Sequence, residues 1–395
     1  VSASPTALTV RTASTTPATP GATSAAAGEY DCAVRRILAA QPGARALLRR
    51  AAAADPEDPR PQAALALLHH RAGRREAAAR RLERAAGAAG RDSQRARSHV
   101  AALAAIVEGP REGAQRTLRA HLGRYPDDAL LVQEGAELLT WEGAADPRPA
   151  RRAFMNALTP HYDADGWFGG DFAFDVAEAG HPERAAAMAR RVLARHPGHA
   201  GAAHALAHAR FEAGAHAAGA AFLRAWLPGY SPLGAEHSHL VWHLALFELE
   251  VGHEEAAMAV YRRALDPEVA PRRRLCDSAS FLWRRRLARP EADLPWGPVR
   301  ALAVRAATRS GSAFDDVHLA MAFAGAGDAD GMGRLLRRLR ARAWTGDAVA
   351  GEVALPLALG LDAFGREDYA AASRHLEGAA GVAPRLGGSN AQRAV

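Results

Sequence analysis

Lysine is absent from this chain of 395 residues, cysteine occurs twice, and aromatic residues make up only 6%. The positive charge is therefore all arginine: 50 basic residues against 43 acidic ones give a formal net charge of +7. That excess is modest and is not gathered in one tail. It suits acidic partners but does not indicate a nucleic-acid binder. Cys32 and Cys276 stand alone with no CxxC spacing, which excludes a disulfide framework and a zinc knuckle and fits a reducing cytoplasm. No run of 18 uncharged apolar residues occurs, so no membrane span is expected. Nucleophile elbow, phosphate loop and dinucleotide fingerprint are also missing, which lowers the odds of a familiar enzyme. Few stretches resemble β-strands. Strong helix formers fill most positions, and the chain reads as all-α.

What the sequence does contain is a period. Gly109 and Gly143 are 34 residues apart, as are Gly180 and Gly214; Gly73 leads Gly109 by 36, and Gly214–Gly252 and Gly327–Gly365 are each 38. Five residues after six of these glycines stands a small residue: Ala78, Ala114, Ala185, Gly219, Ala257 and Ala370. This grammar predicts tandem helix-turn-helix repeats of the tetratricopeptide (TPR) type, stacked as a right-handed α-solenoid. Each glycine belongs at the turn, where a left-handed backbone is needed. The small residue belongs early in the second helix, where the two helices approach closely. The array is expected over residues 29–395. Residues 1–28, rich in Ser, Thr, Ala and Pro, lack the pattern of a secretory signal and are expected to be disordered.

Histidines cluster within this frame. His204 and His208 are four apart on one first helix, and His239 and His243 are four apart on the next. An i,i+4 pair projects from one helical face, so the two pairs together bring four imidazoles toward one point. Counted from the turn glycine, Ala207 and Ala245 fall at the close-packed position, and three of the four histidines fall on the concave groove. Neutral imidazole is a ligand for zinc, copper, iron or nickel, so one reading is a metal or ligand site, with a divalent transition metal as the candidate cofactor. Acid–base work by one histidine is a second reading. A bland third has the histidines bonded to one another or to Glu236 and Glu248. Asp163 and Asp165 read as a polar loop beside a buried Trp167, because the further acids of a calcium loop are missing. Asp315, with Asp316 and His318 behind it, is expected to cap a helix. Arg334 to Arg342 is expected to form a solvated face.

Several segments resemble the tetratricopeptide repeat protein 38 family. They are His204-Ala-Leu-Ala-His208, Trp242-His243-Leu-Ala-Leu-Phe247 with Tyr261, Asp277-Ser-Ala-Ser-Phe-Leu-Trp283, Phe314-Asp-Asp-Val-His318 and Leu386-Gly-Gly-Ser-Asn-Ala-Gln-Arg393. The likeness covers about residues 150 to 395 with ordered motifs. It implies that His204, His208, His239, His243 and His318 line a real pocket. Phe211 departs from the family, which carries a Glu there; Glu212 follows it. The family also continues with helix beyond the Asn-Ala-Gln-Arg segment, which implies capping helices beyond Val395 and apolar surface on the final repeat without them. The resemblance carries no biochemical activity with it. Two readings of function follow: a cytoplasmic scaffold that binds a protein, peptide or small ligand in its groove, and an enzyme built on the four histidines.

Overall fold

A computed structural model describes residues 24–89, 93–140, 143, 145–264, 271–308 and 311–394. Among these residues helices follow one another in pairs and no strand occurs. The pairs of the first half are α1 (Ser24–Leu38) and α2 (Ala44–Ala54), α3 (Pro59–Arg71) and α4 (Arg75–Ala89), α5 (Gln94–Glu108) and α6 (Arg111–Leu122), α7 (Ala129–Leu138) and α8 (Pro147–Leu158), and α9 (Trp167–Glu178) and α10 (Pro182–Arg195). Those of the second half are α11 (Ala200–Glu212) and α12 (His216–Trp226), α13 (His237–Glu250) and α14 (Glu254–Ala264), α15 (Pro271–Ala288) and α16 (Trp296–Ala307), α17 (Ala313–Gly325) and α18 (Ala329–Trp344), and α19 (Leu355–Gly365) and α20 (Tyr369–Ala380). A four-residue helix, α21 (Asn390–Arg393), follows. The fold is an all-α, TPR-like solenoid. Of the N-terminal segment expected to be disordered, residues 24–28 are helical, and residues 1–23 lie outside the described residues.

The glycine grammar places most of the turns. Gly73, Gly180, Gly214, Gly252 and Gly327 all have φ between +64° and +83°, the left-handed region that glycine enters without a Cβ penalty. Gly109 departs, with φ −85° and ψ 164°. It precedes Pro110, whose ring pushes the preceding residue toward extended backbone. The last pair departs in register. There Glu367 takes the left-handed position at φ 64°, two residues after Gly365. Ala370 is accordingly exposed, and Ala372, five after Glu367, is the buried small residue. A π-turn, Ala350–Ala354, leads into this pair. Elsewhere the small residues sit as expected: Ala78, Ala114, Ala185 and Ala257 are buried, and a Cβ on Gly219 would lie 2.5 Å from the Phe247 ring.

The apolar core runs the length of the stack between first and second helices, with Leu65, Leu103, Leu131, Phe168, Leu206, Phe247, Phe281 and Phe323 fully buried along it. Two segments then tie distant parts of the solenoid together. Near the N-terminus, Ala40 accepts hydrogen bonds from the Tyr230 hydroxyl at 2.6 Å and the Ala235 amide at 3.1 Å. Beside it, Gln41 Nε2 donates to the Gly198 carbonyl at 2.6 Å. Near the C-terminus, residues 383–393 leave the last pair and cross to the middle of the chain. The Gly143 amide donates to the Arg385 carbonyl at 3.1 Å, and Arg148 Nη1 donates to Asn390 Oδ1 at 2.6 Å.

Candidate metal centre

Four consecutive first helices build the site. The middle two, α11 and α13, carry the histidine pairs. The turns that set their register also bring their faces together, since Ala207 and Ala245 are buried at the close-packed positions. One ligand atom from each of His204, His208, His239 and His243 lies within 4.8 Å of every other. Adjacent imidazole centroids are 4.5 to 5.2 Å apart. His204 and His208 meet through Nε2 atoms 3.0 Å apart. That is close to the ~3.3 Å that two nitrogens subtend at a tetrahedral metal with bonds of ~2.0–2.1 Å. His208, His239 and His243 are buried, and only His204 keeps partial exposure.

The two outer first helices supply carboxylates. Asp277 of α15 accepts from His239 Nδ1 at 3.0 Å. Glu178 of α9 places Oε1 3.1 Å from His208 Nδ1. This second contact is poorly aligned for a hydrogen bond, and both atoms lack one, so it acts through charge. A carboxylate on Nδ1 favours the tautomer that leaves Nε2 with its lone pair facing inward, the arrangement found behind metal-bound histidine. Glu236 and Glu248, named as alternative partners from the sequence, are not these carboxylates; Glu248 pairs with Arg224 and His253. Sequence reasoning missed Glu178 and Asp277. Each sits on a first helix that neighbours a histidine helix, and Asp277 also heads one of the segments that resemble the family.

His243 is the outstanding member. It is fully buried, and neither of its ring nitrogens has a hydrogen-bond partner. Burial, then the neighbouring His208, His239, His204 and Arg284, hold its pKa well below the usual histidine value. It is therefore a neutral imidazole at ordinary pH, the form that ligates metal. Aromatic rings close the surroundings: Trp242 stacks on His239 at 5.0 Å, and Phe174 stacks on His204 at 5.4 Å. The residue types fit a transition metal: four nitrogen donors, two carboxylates behind them, and a buried imidazole that nothing else satisfies.

His318 does not join the four. It lies on α17, donates Nδ1–H to the Phe314 carbonyl at 2.8 Å, and feels the charges of Asp315, Asp277 and Arg284. Ser312, rather than Asp315, is the N-cap of that helix; Asp315 closes the capping box from the third position. The arginine-rich face of α18 is also less solvated than expected, because Arg338 and Arg342 both bond the fully buried Asp316. Asp163 and Asp165 pair with Arg195 and Arg191 in their loop.

A second group went unnoticed in the sequence: His99, His121 and Asp128. Asp128 Oδ2 accepts from His99 Nδ1 at 2.7 Å and from His121 Nε2 at 3.1 Å. Ser98 and Tyr30 hydroxyls donate to the remaining ring nitrogens at 2.9 and 3.4 Å. Every ring nitrogen here is used, so the group is a closed hydrogen-bond network.

No protein-family model matches the sequence. Several solved structures resemble it weakly. The human IFIT1 dimer with m7Gppp-AAAA is 13% identical, covers 82% of this chain and 89% of its own, and has a TM-score of 0.44. Naa15/Naa10 bound to HypK-THB is 15% identical over 86% of this chain and 56% of that one, with a TM-score of 0.26. The P58(IPK) TPR domain is 13% identical over 89% and 98%, with a TM-score of 0.20. These likenesses say nothing of partners, and the expectation that nucleic acid is not one gains no support from them. No helix among the described residues is long and apolar enough to cross a membrane.

Proposed function

We propose that this protein is a TPR-like scaffold that holds a divalent first-row transition metal on His204, His208, His239 and His243, and that it binds a protein or small-molecule partner on the concave face beside that metal. The observation that carries the reading is His243, fully buried with two unpartnered nitrogens in a ring of three other imidazoles. An unsatisfied buried polar group costs about 1–3 kcal/mol, and a metal bond removes that cost. Zinc suits four nitrogen donors in a closed tetrahedron; copper, iron and nickel also accept imidazole. The likeness to the tetratricopeptide repeat protein 38 family supports the same four residues. Cys32 and Cys276 form no disulfide with each other, which suits the reducing cytoplasm proposed for it.

Elemental analysis of the purified chain and of a His204→Ala/His243→Ala variant tests the metal. One equivalent in the parent and none in the variant is the expected result. A parent that stays metal-free after supplementation under reducing conditions overturns it. A thermal-shift screen then tests the partner, because a ligand specific to the native state raises apparent stability by mass action. The expected hit stabilises the parent and not the variant.

One observation favours a metal-assisted enzyme as the second reading. A Cβ on Gly201 would lie 2.4 Å from Asp171 Oδ1, which sets this carboxyl one helical turn before His204, the partly exposed ligand. Burial, with Glu137, Asp175 and Glu236 nearby, pushes Asp171 up to about 7 against the pull of Arg151, a value suited to proton transfer at neutral pH. If this reading holds, Asp171→Asn keeps the metal and loses any turnover found; a variant that turns over at the parental rate removes it.

A further inference from the structure

The segment 383–393 is too closely fitted to be a loose tail. Gly387 and Gly388 take φ of +79° and +70°, and a Cβ on Gly388 would meet the Phe314 ring at 2.6 Å. Glycine is therefore required at Gly388 by both backbone and space. Leu386, Ser389 and Ala391 are buried. Arg393 Nη1 donates to the Gly387 carbonyl at 2.7 Å, and its Nη2 donates to Asn390 Oδ1 at 2.9 Å.

From there the strap reaches the four-histidine group by two routes. On one side the Asn390 amide donates to Glu178 Oε2 at 2.8 Å, and the Asn390 side-chain amide donates to the Glu178 carbonyl at 3.5 Å. The other oxygen of the same carboxylate stands 3.1 Å from His208 Nδ1. On the other side Arg284 donates Nη2 to the Ala391 carbonyl and lies over the Trp242 ring at 5.7 Å. Trp242 in turn stacks on His239 with an interplanar angle of 12°. One short stretch of backbone thus touches the supports of one histidine from each pair.

We infer that the 383–393 strap is the outer shell of the metal site: the Asn390 N–H positions Glu178 against His208, and docking of the strap and binding of a divalent transition metal strengthen each other. The inference rests on the metal reading above. Asn390 and Glu178 are positioning residues; neither is a ligand. Because coupling between two equilibria is reciprocal, whatever the docked strap adds to metal affinity, the metal must add to strap docking.

The test uses the full chain and separates the backbone donor from the side chain. Asn390→Ala keeps the N–H. Asn390→Pro removes it at the first helical residue, where proline is tolerated, behind a Ser389 already extended at φ −90° and ψ 165°. Co²⁺ and Zn²⁺ are titrated into both variants and the parent. Removal of a group that orients a ligand typically weakens metal by 10–100-fold, so Asn390→Pro should bind about tenfold more weakly than Asn390→Ala, with an altered Co²⁺ absorption band. Hydrogen exchange in peptides spanning 386–393 should slow by a similar factor when Zn²⁺ saturates the parent, and should not change in His208→Ala. Equal affinities and spectra for the two variants, or strap exchange indifferent to Zn²⁺, overturn the strap's role and leave the site standing. A parent that binds neither ion overturns both.

Discussion

Two histidine clusters sit in one solenoid and are built on opposite terms. In the first half His99, His121, Asp128, Ser98 and Tyr30 use every ring nitrogen among themselves. In the second half four imidazoles converge with two carboxylates behind them, and His243 is left without any partner. Histidine burial alone therefore says little about function. What separates the clusters is whether the hydrogen-bond accounts close. A closed network stabilises the fold; an open, buried one leaves polar atoms that a bound ion or water would satisfy.

The largest expected effect is on metal. His204→Ala/His243→Ala should abolish stoichiometric zinc, while His99→Ala/His121→Ala leaves the zinc content unchanged; equal loss from both variants would erase the contrast. The next effect is on stability and has the opposite distribution. Asp128→Ala leaves two buried histidines without their acceptor, and breaking such a buried pair costs about 3 kcal/mol, measurable as a lower urea midpoint with an unchanged slope.

Acid separates the clusters further in the metal-free chain. Unfolded histidine titrates near 6.5, whereas folded His243 is held well below that by burial and by the neighbouring His208, His239, His204 and Arg284. Between those values the unfolded chain takes up a proton that the folded chain refuses. Stability present above about pH 6.5 is then lost as pH falls, by up to ~1.4 kcal/mol per pH unit. For Asp128, burial opposes ionisation, but His99 and His121 outweigh it and hold its carboxyl well below the usual carboxylate range. Its contribution is present above an unfolded value near 3.9 and disappears only as pH drops toward the depressed folded value. Subtracting the stability–pH curve of His243→Leu from that of the parent should isolate the first leg, and Asp128→Asn the second. A parent–His243→Leu difference that stays flat between pH 7 and 5 would mean that His243 finds a proton partner.

The smallest effect is the most discriminating. His243→Leu removes two unsatisfied nitrogens, each subject to the ~1–3 kcal/mol cost of buried polar groups, so the variant should be more stable than the chelator-treated parent by about 1 kcal/mol, and it should hold no metal when zinc is supplied. His99→Leu should destabilise. Destabilisation by both substitutions would put His243 among the structural histidines.

The sequence made the second cluster visible because both pairs are local, i,i+4 signals on neighbouring repeats, and because turn glycines gave the register that faces α11 toward α13. The carboxylates were less legible. Glu178 and Asp277 lie one helix outside the pairs, and no local spacing links Glu178 to His208 or Asp277 to His239. The first cluster had no local signal at all: His99 comes from α5, His121 from α6, and Asp128 from the cap of α7. Register failed where a turn moved, at Glu367, and where Pro110 overrode the preference of Gly109. The run Leu386 to Arg393 stood out in the sequence, but its reason is tertiary: Gly388 must pass Phe314, and Asn390 must reach Glu178.

That reach has a kinetic consequence. A helical array folds by zipping from one unit to its neighbour, with little loop entropy to overcome. This one also has clasps: Asn390 to Glu178 spans 212 residues, Arg148 to Asn390 spans 242, and Tyr230 to Ala40 spans 190. Such closures wait until the intervening turns of the superhelix have taken their curvature, because only then do the ends point at the middle. Refolding should therefore run at two speeds, with helix signal recovering first. Fluorescence from Trp242, under the Arg284 that bonds the strap, should recover later, so the site becomes complete only when the spiral locks.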